Sequence, residues 1–178
     1  MDTLAHGLWA AVIYKILNIR LKKKFKIWEA VMFGIFPDLF AFAIPFFVMI
    51  TGFITGNFTI SMFHPAVDSE SANFLFDLTH LLYNASHSIM IFLLVFFITL
   101  LIFKKPIWVL GGWLLHILVD IPSHGGTEWS TPYLWPFPTP FVDGFPWWQN
   151  KWVIIINYSL ILIAGIYILI KGKKNGRV

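Results

Sequence analysis

The sequence predicts an all-α protein, a polytopic bundle of about five membrane helices with one irregular extracytoplasmic loop rich in aromatic residues and proline. Three observations predict this fold class. Of the 178 residues, 58% are hydrophobic and only 12% are charged, which is about half the charged fraction of a typical soluble domain. The mean hydropathy is +0.74, and the apolar residues form long runs. The composition excludes a disordered chain and predicts a single integral membrane domain over residues 1–178.

Five apolar segments are candidates for membrane helices, which need about 20 mostly apolar residues to cross a hydrocarbon core of about 30 Å. They cover residues 3–19, 27–50, 74–103, 107–121 and 152–170. Pro37 and Pro45 are expected to interrupt the second helix, because proline removes a backbone donor. The third helix, at about 1.5 Å per residue, is long enough to project beyond the bilayer.

Lysine and arginine predict the orientation, because short loops that carry them stay on the cytoplasmic side. Three connections share this property, with Arg20, Lys22, Lys23, Lys24 and Lys26 after the first helix, Lys104 and Lys105 after the third, and Lys171, Lys173, Lys174 and Arg177 after the fifth. The long connections on the other side contain only one lysine or arginine, which is Lys151. We therefore expect an integral cell-membrane protein with an extracytoplasmic N-terminus, a cytoplasmic C-terminus and no nucleic-acid partner.

The last long connection, residues 123–151, combines many prolines with several tryptophans. Proline prevents a regular helix there, and tryptophan prefers the boundary between membrane and water. Two interpretations stay open. The segment is either an irregular cap over a site at the outer headgroup level or an interfacial anchor with no functional role.

Six ionisable side chains from four separate segments are predicted to lie in one layer, in the outer half of the bilayer. Measured from the cytoplasmic end of each helix, they lie about 15–25 Å along it. Such groups are costly in a membrane and usually functional, and the predicted spans hold no arginine to pair with the acids. Histidines beside unpaired carboxylates predict a bound cation, with zinc as the expected metal. The expected ligands are His6, Asp38, His87, His116, Asp120 and His124.

The spacing of the last three ligands supports this prediction. His116 and Asp120 are four residues apart, so they share a helix face and can bind one metal ion or two adjacent ones. Asp38 and Asp120 are also the expected catalytic carboxylates, and the sequence leaves open which one bridges metals and which one is a general base. The residues of uncertain role near the ligands are Met1, Asp2, Asn84, Ser86, Ser88 and Glu128.

Simpler interpretations exist for single residues. A lone membrane histidine such as His87 often joins two helices through a hydrogen bond. Asp38 could cap a helical segment that starts after Pro37, and Asp2 is expected to cap the first helix. The chain has no cysteine, which excludes an iron–sulfur protein, a zinc ribbon, a disulfide scaffold and a cysteine nucleophile.

Five motifs follow one another along the chain: Leu4-Ala5-His6-Gly7, Gly34-Ile35-Phe36-Pro37-Asp38, Asn84-Ala85-Ser86-His87-Ser88, His116-Ile117-Leu118-Val119-Asp120-Ile121-Pro122-Ser123-His124 and Thr131-Pro132-Tyr133-Leu134-Trp135-Pro136-Phe137. From Asp2 to about Phe137 the chain resembles the membrane-bound metal-dependent hydrolases known as the YdjM-like family. It departs from the family pattern at Phe40, where a second acid is usual. It departs again at Leu82 and Tyr83, which replace a His-Arg pair.

More loosely, the order of histidines and acids is similar to that of the zinc-dependent phospholipases C and the single-strand-specific zinc nucleases. Those proteins are helical and hold a cluster of zinc ions. The resemblance implies about one to three zinc ions in this chain. It also places the Met1 amine beside His6 and Asp2, and it implies a bacterial or archaeal origin.

The predicted function is a membrane-embedded hydrolase of the zinc type that cleaves a phosphoester of a lipid or other amphipathic substrate through a metal-activated water. Cleavage of a phosphodiester, as by a phospholipase C, is the first choice by resemblance alone. A metal-ion or proton transporter without hydrolase activity is the main alternative. A haem-binding bundle and a scaffold protein are the others.

Overall fold

The computed structural model describes residues 1–56, 70–125, 130–138, 140, 142 and 144–174. These residues form six α-helices and no strand, which confirms the all-α prediction. The helices are α1 (Thr3–Leu21), α2 (Ile27–Thr55), α3 (Glu70–Ser86), α4 (Ile89–Phe103), α5 (Gly111–Ser123) and α6 (Lys151–Lys174), and a 3-10 turn at Trp108–Leu110 leads into α5.

Helix α1 begins at a side-chain cap, as predicted. The Asp2 carboxylate accepts a hydrogen bond from the Ala5 N–H at 2.9 Å, which satisfies one of the backbone donors that the start of a helix leaves free. The Tyr158 hydroxyl donates to the same carboxylate at 2.8 Å. The start of α1 is therefore attached to α6.

Helix α2 is continuous, although Pro37 and Pro45 lie inside it. The predicted interruption is wrong, because a proline inside a membrane helix is tolerated where neighbouring groups replace the lost backbone bond, and both prolines are buried. Asp38 therefore lies within a helix and is not a helix cap. Its helix ends at Gly56, whose φ is 72°, a conformation that favours glycine.

Fewer helices qualify as membrane spans than the five predicted. Helices α2 and α6 are long and apolar enough to cross a membrane, and the bent pair α3–α4 adds a third if it counts as one span. Helix α5 is short, and α1 carries Lys15, Asn18 and Arg20 near its end, which lowers its hydropathy. Two or three candidate spans in the described part of the chain are consistent with a membrane protein.

The predicted continuous helix over residues 74–103 is also wrong, because α3 and α4 meet at an angle of 61°. The Ser88 hydroxyl accepts hydrogen bonds from the first backbone N–H groups of α4 and donates to the Trp135 carbonyl at 2.5 Å. The Ile89 N–H donates to the Tyr133 carbonyl at 2.9 Å. These bonds satisfy the polar groups that the break exposes, and they leave His87 at the corner between the two helices.

Glycines allow α1, α2 and α5 to approach one another closely. A Cβ atom at Gly34 of α2 would lie 2.9 Å from the Cβ of Ala10 and 3.1 Å from the carbonyl oxygen of His6. A Cβ atom at Gly112 of α5 would lie 2.3 Å from the carbonyl oxygen of Ala30. Small residues permit such close contacts between membrane helices. The three helices are therefore packed backbone to backbone around the predicted ligands.

The connection between α5 and α6 has no helix or strand in its described residues, as predicted. It docks on the end of α5 through backbone hydrogen bonds. The Phe145 N–H donates to the Pro122 carbonyl at 2.8 Å, and the Trp147 N–H donates to the Ser123 carbonyl at 3.3 Å. The docking brings the aromatic residues of this connection beside the predicted ligands.

Candidate metal centre

A buried group of two histidines and two carboxylates lies where three parts of the chain meet. Asp38 comes from α2, His87 from the corner between α3 and α4, and His116 and Asp120 from α5. Each offers one ligand atom, and these atoms all lie within 4.8 Å of one another. The Asp38 side chain is 13% exposed, and the other three are at most 1% exposed. These four residues are named the His/Asp group.

Backbone carbonyls orient the two histidine rings of this group. His87 Nδ1 lies 3.0 Å from the Tyr83 carbonyl oxygen, and His116 Nδ1 lies 2.7 Å from the Gly34 carbonyl oxygen. Because a carbonyl only accepts, each Nδ1 is assigned the hydrogen, and in a neutral ring each Nε2 then keeps its lone pair. The two Nε2 atoms lie 3.1 Å apart, so their lone pairs face one small volume.

Carboxylate oxygens complete the ring of electron-pair donors around this volume. Asp38 Oδ1 lies 3.5 Å from each Nε2 atom, and Asp120 Oδ2 lies 3.4 and 3.2 Å from them. Asp120 Oδ2 is buried without a hydrogen-bond partner among the described residues. Buried acceptors that face each other are costly unless a proton or a metal cation lies between them, and two imidazoles with two carboxylates suit zinc and similar divalent metals. The group could therefore hold a metal ion.

The other oxygen of Asp120 faces a second set of nitrogen atoms. His6 Nε2 lies 2.9 Å from Asp120 Oδ1, His124 Nδ1 lies 3.3 Å from it, and the Met1 amine also contacts it. The His6 ring stacks on the His116 ring, with centroids 3.7 Å apart. Neither His6 nitrogen forms a hydrogen bond with suitable geometry in the described residues. The structure thus places the other five predicted ligands around Asp120.

Polar side chains hold these ligands from outside. The Thr3 hydroxyl donates to Asp38 Oδ2 at 2.6 Å. The Ser86 hydroxyl lies 3.0 Å from His87 Nδ1. Such outer contacts orient metal ligands and tune their affinity.

The other residues of uncertain role have different positions. Asp2 caps α1, and Ser88 caps α4. No hydrogen bond joins Asn84 to a predicted ligand within the part of the chain that the structure describes. Glu128 lies outside the described residues.

Three neighbours of the ligands were not foreseen in these roles, namely the Thr3 side chain, the Tyr83 side chain and the Gly34 carbonyl. The Tyr83 ring stacks on the His87 ring, with centroids 3.9 Å apart. Tyr83 precedes His87 by four residues, and Thr3 precedes His6 by three, which is the spacing of one helix face. That spacing could have indicated that both side chains lie near predicted ligands. Gly34 acts through its backbone, which no side-chain pattern reveals.

A cavity of about 530 Å³ opens beside the His/Asp group and is named the site cavity. One part of its wall carries polar groups and the other carries aromatic rings. The lining residues are Met1, Asp2, Thr3, Asp38, Phe42, Phe46, Tyr83, His124, Trp147 and Trp148. The His124 and Trp148 rings lie 5.6 Å apart, so the connection between α5 and α6 forms part of the wall.

Comparison with models of protein families, with curated proteins and with solved structures gives no match. The fold and the site define an all-helical protein with two or three candidate membrane helices. More particularly, it carries a buried His/Asp group that could hold a metal ion. The resemblance to the YdjM-like family stays a prediction, and function has to be inferred from the site itself.

Proposed function

We propose that the chain is a membrane-embedded, metal-dependent hydrolase of the zinc type that cleaves a phosphoester in a lipid or another amphipathic substrate. One observation carries this proposal: four electron-pair donors lie close together in the buried His/Asp group. A bound zinc ion would lower the pKa of a coordinated water to about 7 and would stabilise the charge that develops on a phosphate. His6, His124 and the second oxygen of Asp120 would serve a further ion.

The two carboxylates differ in their access to a substrate. Asp38 is 13% exposed and lines the site cavity, whereas Asp120 is 1% exposed and lies between two sets of nitrogen atoms. We assign Asp38 as the general base that takes a proton from the attacking water, and Asp120 as the bridging carboxylate. In the hydrolysis the water oxygen bonds to phosphorus, the bond from phosphorus to the alcohol oxygen breaks, and the released alcohol takes up a proton.

The site cavity supports an amphipathic substrate. Its polar part, near Asp38 and His124, suits a phosphate headgroup, and its aromatic part suits an apolar chain. Ligand sites usually combine a mostly apolar wall with a few polar groups that set the orientation. Phe46 and Trp148 are 47% and 42% exposed, so the aromatic part reaches the surface of the bundle, where a lipid chain would enter.

The floor of the site favours a hydrolase over a transporter. Farther along α1, α2 and the 3-10 turn, an apolar cluster contains the buried residues Tyr14, Ala30 and Val109. Glu29, near the start of α2, pairs with Lys26 at 2.8 Å. A transport path would need polar groups that continue across the membrane, and this part of the described structure is closed by packed apolar side chains.

Elemental analysis of protein purified without chelator tests the metal. We expect about one to three zinc ions per chain in the parent, and loss of most of this zinc in His116→Ala and in Asp120→Ala. His80→Ala is the matched control, because His80 lies on α3 outside the His/Asp group, and it should keep the metal. Absence of metal from the parent, or equal metal content in all four proteins, would overturn the proposal.

The reaction is tested with vesicles of phosphatidylcholine and, separately, with a polyprenyl phosphate. Phosphorus NMR distinguishes phosphocholine, phosphatidic acid and inorganic phosphate, and so identifies which bond is cleaved. Asp38→Asn should lower the rate by about a hundredfold or more, because it removes both the general base and one donor of the His/Asp group, while His80→Ala should not. Metal flux into vesicles without release of any phosphate product would instead support the transporter.

A further inference from the structure

A second cavity, of about 440 Å³, lies where α1 turns into α2, at the end of α1 remote from the His/Asp group. Its lining is mostly basic, which sets it apart from the site cavity. The lining residues are Lys15, Asn18, Ile19, Lys22, Lys23, Lys24 and Phe25. This cavity is named the lysine pocket.

The lysine pocket carries positive charge that no carboxylate balances. None of its four ammonium groups forms an ion pair within the described residues. The nearest acid along the chain, Glu29, is already paired with Lys26 at 2.8 Å. Four like charges around one cavity repel each other and attract an anion.

The turn that forms the pocket is held in a defined conformation. The Asn18 side chain donates to the Phe25 carbonyl at 2.9 Å and accepts from the Phe25 N–H at 2.7 Å. Lys22 closes α1 with a φ of 52°. A preformed turn lowers the entropy cost of ordering the lysines around a ligand. Charge that served only to set membrane orientation would need neither a cavity nor a fixed turn.

The surroundings of the pocket indicate a lipid. Leu21 and Trp28 flank the turn and are 56% and 66% exposed, and tryptophan prefers the boundary between membrane and water. Lysine stems can lie along apolar surface while their ammonium groups reach the headgroups. We propose that the lysine pocket binds the phosphodiester headgroup of an anionic phospholipid, in the leaflet that meets this end of the bundle. This inference is independent of the proposed hydrolase.

Native mass spectrometry of the full chain in detergent tests the inference, with phosphatidylglycerol as the probe and phosphatidylcholine as the neutral reference. The parent should retain one phosphatidylglycerol in preference to phosphatidylcholine. Lys15→Gln/Lys23→Gln should weaken that binding by about thirtyfold. Lys104→Gln/Lys105→Gln is the matched control, because it removes the same charge from another exposed turn, and it should bind like the parent.

Three further measurements keep the test decisive. Lys23→Gln/Lys24→Gln changes only exposed side chains, so it should show the same loss even if substitution of Lys15 disturbs the fold, and circular dichroism checks helicity. Unchanged phosphatidylglycerol binding in this variant would overturn the inference. Displacement of phosphatidylglycerol by an equal concentration of inorganic phosphate would overturn the lipid assignment and indicate a site for a free anion.

Discussion

At the scale of single residues, backbone carbonyls set the orientation of the two histidine rings in the His/Asp group. Because carbonyl oxygens take the Nδ1 hydrogens of His87 and His116, both rings present Nε2 lone pairs to the same volume. A hydrogen bond between the two histidines needs a hydrogen on one Nε2, which neutral rings with their hydrogen on Nδ1 do not carry.

Thr3→Val should weaken zinc binding by about tenfold or more, because Asp38 loses the hydroxyl that holds Oδ2 at 2.6 Å. Thr3→Ser keeps the hydroxyl and should retain nearly the parent affinity. Isothermal titration calorimetry of the metal-free proteins with zinc measures the affinities of both variants. Weaker binding in Thr3→Ser than in Thr3→Val would show that the methyl group matters rather than the hydrogen bond.

Residue types indicated the side chains that the structure brings together at the site, and local spacing indicated some of them. Ionisable side chains are rare in the apolar runs, so His6, His87 and His116 stood out from their surroundings. The ring orientations could not be predicted, because they depend on carbonyl oxygens such as that of Gly34. The exposure that separates Asp38 from Asp120 also depends on the packed structure.

At the scale of elements, close helix packing sets the positions of the predicted ligands. Helix α5 approaches α2 where Gly112 faces the Ala30 carbonyl, and a Cβ atom there would lie 2.3 Å from that oxygen. The neighbour is backbone, so it cannot move aside as a flexible side chain would. The distance between the predicted ligands of α2 and those of α5 therefore depends on glycine at this position.

Gly112→Ala should lower the free energy of unfolding by about 1–3 kcal/mol, because it forces α5 away from α2, and it should also reduce metal content. Gly165→Ala makes the same chemical change in α6, where a Cβ atom meets nothing within 4 Å. That control should be neutral or stabilising by up to about 1 kcal/mol. Unfolding in mixed micelles with increasing dodecyl sulfate measures both values. Equal effects of the two substitutions would contradict the packing argument.

Elements were predicted best where one apolar run forms one helix. The prediction for α6 is close, since residues 152–170 lie within Lys151–Lys174. The break between α3 and α4 could not be predicted, because the bonds that stabilise it come from Tyr133 and Trp135. Length and hydropathy alone likewise suggested spans for α1 and α5 that the structure does not support.

At the scale of the whole molecule, the orientation in the membrane stays a prediction that the absence of cysteine makes easy to test. Lys105→Cys and Gln149→Cys each place one thiol at an exposed position. A membrane-impermeant maleimide applied to intact cells should label Cys at position 149 and not at position 105. Both should be labelled after permeabilisation. The reverse pattern would place the site cavity on the cytoplasmic side.

During synthesis the chain leaves the ribosome from its N-terminus, so α3 and α4 exist before the groups that stabilise the corner between them. The acceptor for the Ser88 hydroxyl lies 47 positions later in the chain. At about 5–20 residues per second, that separation corresponds to about 2–9 s. Until then the corner that carries His87 lacks its partners, so the His/Asp group is completed only after residue 135 has been made. A nascent chain stalled at residue 125 would carry all six predicted ligands and still lack a preformed site.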